Sequence, residues 1–157
     1  MSLTIEYSLR GAGWADCKVS FGERSIDITA SYLSDALGNL VLAACMAYSG
    51  FHSMSFGFDE EPGEYRWVID RIDGTEMSLR ILEFDELWSN APNNAGKELL
   101  SCKVGVQEFA RAVHQAAATV LAKHGSDEYL VQWVEHEFPS LQMALLTQML
   151  ERYSNDA

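Results

Sequence analysis

The sequence predicts one α+β domain over residues 1–157, with an about seven-stranded, mainly antiparallel sheet and three to four helices packed on one face. Three observations carry this. Apolar and polar residues alternate in short runs separated by glycine turns, the period of a half-buried strand. Longer stretches repeat apolar residues at helical spacing. Hydrophobic residues fill 48% of the positions, and a chain of this length buries about 70% of its unfolded surface without help from disulfides or metal.

The first third reads as a meander. Leu3, Ile5, Tyr7 and Leu9 alternate with Thr4, Glu6, Ser8 and Arg10; Ala15, Cys17, Val19 and Phe21 follow, then Ile26 and Ile28. Directly opposed residues share a face of the sheet, so parity tests each loop. A three-residue loop, Gly11-Ala12-Gly13, sets Tyr7 opposite Cys17 and Ile5 opposite Val19. A two-residue type II′ turn, Gly22-Glu23, sets Val19 opposite Ile26 and Cys17 opposite Ile28. On the outer face Glu6 then lies beside Lys18, Lys18 beside Asp27, and Arg10 within cation–π reach of Trp14. Charges already partnered in this way make an ordinary wetted surface.

Ser31 or Ser34 is expected to cap a helix whose stripe is Leu37, Leu40, Val41, Ala44, Cys45 and Tyr48, ended by Gly50. Met54, Phe56 and Phe58 lead to the turn Glu61-Pro62-Gly63-Glu64, read as type II, and Tyr65, Trp67 and Ile69 form the next inward set. At Asp73-Gly74 parity rejects a two-residue loop. A three-residue loop, Ile72-Asp73-Gly74, pairs Ile69 with Met77, Trp67 with Leu79 and Tyr65 with Ile81, and sets Arg66 opposite Arg80, with Asp16, Asp70 or water to satisfy them. Asp85 to Glu98 is a long loop of the kind that carries function or motion. Leu100, Cys102 and Val104 make a seventh strand. A helix follows with Val106, Phe109, Ala110, Val113, Ala117, Val120 and Leu121 on one side, closed by Gly125. Helices from about Asp127 to Glu137 and from Ser140 to Tyr153 finish the chain, broken at Pro139.

Charge and cysteine usage bound the partners. Acidic residues outnumber basic ones 23 to 11, a formal charge of -12, which repels phosphate backbones and anionic membranes and favours a basic protein partner. Cys17, Cys45 and Cys102 have no CxxC spacing and fall at apolar positions, as buried thiols of a reducing compartment. With no signal-like N-terminus and no apolar run of membrane length, the expected location is cytoplasmic.

Hairpin connectivity yields one spatial expectation. The fourth strand ends at Asp59, the fifth leaves from Glu64 and the sixth finishes near Phe84, so both connections lie at one end of the sheet. That end gathers Asp59, Glu60, Glu61, Glu64, Glu83, Asp85 and Glu86, with Trp88 beside them and no Lys or Arg in either short segment. Clustered carboxylates repel unless they are solvated or matched by something cationic. Asp59, Glu60, Glu61, Glu64, Asp85 and Glu86 supply charge to a basic partner, and Trp88 an apolar anchor.

No GxSxG, GxGxxG, P-loop or zinc spacing is present, and no catalytic residue, metal ligand or cofactor is assigned. The segment Trp133-Val134-Glu135-His136-Glu137-Phe138-Pro139 lacks the second histidine of HExxH. An alternative reading is a small metal-dependent enzyme or ligand-binding domain that uses the carboxylates or Glu135, His136 and Glu137. Homo-oligomerisation through an uncovered sheet face or the last helix is a third.

The segments Ser31-Tyr32-Leu33-Ser34-Asp35-Ala36-Leu37-Gly38, Glu60-Glu61-Pro62-Gly63-Glu64-Tyr65-Arg66-Trp67, Phe84-Asp85-Glu86-Leu87-Trp88 and Trp133 to Pro139 resemble those of a family of uncharacterised bacterial proteins. The resemblance spans most of the chain and implies no activity, cofactor or catalytic residue. In type, a small acidic α+β domain without catalytic motifs is similar to immunity proteins, which neutralise toxins by binding them. The sequence thus points to a non-enzymatic, immunity-like protein-binding domain.

Overall fold

Alternation in the first third becomes a meander in the computed structural model, which describes residues 1–154. Strands β1 (Leu3–Gly11), β2 (Trp14–Phe21) and β3 (Arg24–Ser31) pair in sequence order. Tyr7 lies opposite Cys17, Ile5 opposite Val19, Val19 opposite Ile26 and Cys17 opposite Ile28, the registers parity requires. At the first hairpin the ladder skips Arg10, so that Gly11 faces Trp14. The guanidinium of Arg10 accordingly pairs with Asp16, two positions along the neighbouring strand, instead of stacking on Trp14. Glu6, Lys18 and Asp27 stand in one row as expected.

The remaining strands, β4 (Ser53–Asp59), β5 (Glu64–Arg71), β6 (Glu76–Phe84) and β7 (Lys97–Gly105), form a second antiparallel sheet. The seven strands therefore make two sheets of three and four rather than one. Strands β3 and β4 meet through side chains instead of a ladder: Ser31 donates to the Asp59 carbonyl at 3.0 Å and Thr29 to Glu60 Oε1 at 2.9 Å. The apolar faces bury one another, with Tyr7 edge-on to Phe58 at 6.2 Å and Phe58 against Trp67 at 5.3 Å. Leu37, Leu40, Ile69, Leu79 and Phe109 complete the same core.

Two connections differ from expectation. Arg71 pairs with Met77, so Ile69 faces Leu79 and Trp67 faces Ile81. The parity is as expected, but the register is displaced by two residues. Arg66 then lies opposite Leu82 and Arg80 opposite Val68, which removes the expected Arg66–Arg80 pair; Arg80 instead meets Asp70 at 3.5 Å. The Glu61–Pro62 peptide is cis, and the turn is not type II, because Gly63 does not take the positive φ that its third position requires.

Helix α1 (Ala36–Met46) is capped by Asp35, whose Oδ1 accepts the Gly38 N–H at 3.2 Å. Ser31 and Ser34, the expected caps, spend their hydroxyls on the Asp59 backbone. The helix stops at Met46, before Gly50. Helix α2 (Val106–Trp133) breaks at Gly125, the glycine expected to close it, whose φ of 73° and ψ of 164° are non-helical, and it resumes in a second arm. The separate helix expected from Asp127 to Glu137 is that arm, and it ends at Trp133. With α3 (Ser140–Ser154) there are three helices among the described residues. Helix α2 lies along β1, and Glu108 accepts the Leu3 N–H at 3.0 Å. None of these helices is long and apolar enough to cross a membrane.

The three cysteines are free thiols; Cys17 and Cys45 are buried and Cys102 is half-buried. Burial pushes all three up, Cys102 to about 11, which leaves them protonated and unreactive at neutral pH.

Candidate functional site

The β4–β5 turn and the segment after β6 do meet at one end of the second sheet. Leu87 donates its N–H to the Pro62 carbonyl at 3.0 Å, and a Cβ at Gly63 would overlap the Phe84 carbonyl oxygen. A glycine is therefore what lets the two segments touch.

The seven carboxylates are not equivalent. Asp59 is 7% exposed, and its Oδ2 accepts the Trp88 indole N–H at 3.0 Å. Glu60 takes the Thr29 hydroxyl. Glu64 pairs with Arg66 at 3.0 Å, both side chains being largely buried, and Glu83 stands opposite Lys97 in the ladder. Glu61, Asp85 and Glu86 are exposed. The charge thus resolves into a held inner set and an outward set of three. The hydroxyl of Tyr65 is pushed up to about 12, first by burial and then by the carboxylates of Glu60 and Glu83.

Arg66 was invisible as an organiser in the sequence because its partners lie far along the chain. Its guanidinium donates to the Ala91 carbonyl at 2.7 Å, Asn93 Oδ1 at 3.0 Å and Glu64, and lies 4.0 Å over the Phe84 ring. The loop after β6 is thereby tied to the sheet, and a short 3-10 turn forms at Asn93–Ala95. Val68, Leu82, Phe84 and Ala91 form a small apolar cluster beneath it. A groove of about 420 Å³ runs between this loop and β4, lined by Phe56, Gly57, Glu64, Arg66, Trp88 and Ala91 among others.

Trp88 is the outstanding side chain. The residue is 67% exposed, its backbone sits at φ 55°, and the single polar atom of its side chain is anchored on Asp59. Anchoring removes the ring's freedom while leaving its apolar face to solvent.

The histidines lie elsewhere. His114 bonds Thr147 at 2.9 Å, and His124 meets Glu128 at 3.1 Å. His136 shares a cavity with Asp35, Glu135 and Glu137. Burial raises the Asp35 carboxyl above its ordinary range, opposed by His136 and the Gly38 N–H. Among the described residues no three His, Cys, Asp or Glu side chains come together as a metal-ligand set, either here or at the acidic end. Comparison of the chain with family models, curated proteins and solved structures finds no match.

Proposed function

We propose that the chain is a protein-binding domain, immunity-like in type, whose acidic sheet end receives a basic protein. The observation that carries this reading is Trp88: a large aromatic residue two-thirds open to solvent, with its indole held by a buried carboxylate. Aromatic anchors surrounded by charge are what protein interfaces concentrate, because a fixed ring loses little entropy on burial. Glu61, Asp85 and Glu86 are exposed on the two segments that meet at this end, and they raise encounter rates with a cationic surface. The inner acids serve this arrangement by positioning, Asp59 through Trp88 and Glu64 through Arg66.

The test is quantitative affinity capture of basic proteins by wild type, by Trp88→Ala and by the triple variant Glu61→Lys, Asp85→Lys, Glu86→Lys. A partner retained by wild type and lost by both variants is expected. For that partner the triple reversal should slow association by about tenfold or more and abolish its salt dependence. A partner bound equally by wild type and both variants removes the site assignment.

A further inference from the structure

Four exposed aliphatic side chains lie where α2 ends and α3 begins. Leu130, Val131, Val134 and Leu141 expose 44%, 78%, 57% and 85% of their surface. Leu130 and Leu141 line a single cavity of about 500 Å³ with Phe138 and Pro139, and its ionisable lining is Asp35, Glu135, His136 and Glu137, without Lys or Arg. Isolated exposed leucines are ordinary; four aliphatic side chains on one short stretch, beside a concave acidic rim, are not.

Val134 adds an independent observation. It closes α2 by donating its N–H to the Leu130 carbonyl at 2.8 Å, and it does so at φ 69°. With ψ at -64° and the Glu135 N–H donating to the Trp133 carbonyl at 2.8 Å, Val134 is the centre of a γ-turn of positive φ, a rare conformation in which a β-branched residue is strained. The chain keeps an exposed isopropyl group on a backbone that would relax without it. Strain retained at a solvent-facing apolar residue points to a use for that residue outside folding.

We propose that this face is a second docking surface, and that its occupant is a cationic amphipathic helical segment of another protein. Apolar side chains of such a helix enter between Leu130 and Leu141, and its Lys or Arg side chains meet Glu135 and Glu137. Charge complementarity selects this occupant over a second copy of the chain, because two molecules each carrying -12 would bring like-charged rims together. The surface stands independently of the Trp88 end. Ser34 lies between the two: its hydroxyl accepts the Asp59 N–H and its carbonyl accepts the Trp133 indole N–H.

The experiment is an NMR titration of the isotopically labelled chain with a synthetic Leu/Lys amphipathic helix of about four turns. Amide shifts are expected to concentrate between residues 130 and 142. The double variant Val131→Gln, Leu141→Gln, altered only at exposed positions, should weaken binding about tenfold or more. Val134→Gly should raise the melting temperature while weakening binding, an opposition that a purely structural role would not produce. Trp88→Ala should leave the affinity unchanged. Shifts confined to Glu61, Asp85 and Glu86, an affinity indifferent to the double variant, or no binding at millimolar peptide would each overturn the proposal. So would a wild-type dimer, seen by light scattering, that the double variant dissolves, since the occupant would then be a second copy.

Discussion

The outer face of the three-stranded sheet and the acidic end of the four-stranded sheet are both rich in charge, yet they are built differently. On the meander, Glu6, Lys18 and Asp27 stand in a row across three strands, and Arg10 reaches Asp16 beside them. Every carboxylate there has a cation within one strand spacing. At the acidic end the partners of Asp59 and Glu60 are neutral donors, Trp88 and Thr29, which orient a carboxylate without cancelling its charge. Beyond them Glu61, Asp85 and Glu86 face solvent. Charge density alone therefore does not distinguish a finished surface from one awaiting a partner; the chemistry of the near neighbours does.

Substitutions can break this contrast, and Arg66 should do so most strongly. Arg66→Met leaves Glu64 largely buried without its cation and unties Ala91 and Asn93, for a loss of about 3 kcal/mol in denaturant unfolding and faster hydrogen exchange across the loop after β6. Gly63→Ala forces a Cβ against the Phe84 carbonyl and should cost about 2 kcal/mol while separating the two acidic segments. Asp35→Asn sharpens the contrast from the other side, since it keeps a capping oxygen and removes a charge that burial disfavours. A raised carboxyl contributes stability that is present below its unfolded value of 3.8 and is lost as pH rises through the raised one. Asp35→Asn should thus melt above wild type at neutral pH, and the gap should close at about pH 3, where wild-type Asp35 is itself protonated. On the meander, Lys18→Gln should move stability by less than about 0.5 kcal/mol, the scale of a solvated pair.

How much of this was legible in the sequence depended on the range of the interactions. Tyr7–Cys17 and Cys17–Ile28 followed from parity because a slip of one residue turns every apolar side chain outward. A slip of two leaves the faces intact, which is why Trp67 was matched with Leu79 when it faces Ile81. Alternation within strands likewise carries no record of whether β3 ladders to β4 or only touches it through Ser31 and Thr29. The meeting of Asp59 with Trp88 could be anticipated from connectivity, since hairpins return to the same end. The role of Arg66 could not, because Asn93 lies 27 positions away and no periodic signal links them. The Asp35 cap had a signal, an aspartate directly before an apolar helix, that the adjacent serines obscured.

The contrast itself is tested most directly by NMR titration with hexalysine, a cation without apolar side chains. The amides of Glu61, Asp85 and Glu86 and the indole N–H of Trp88 should shift first and furthest, while those of Glu6, Asp16 and Asp27 stay near their starting positions. Equal movement of the meander and the acidic end would contradict it.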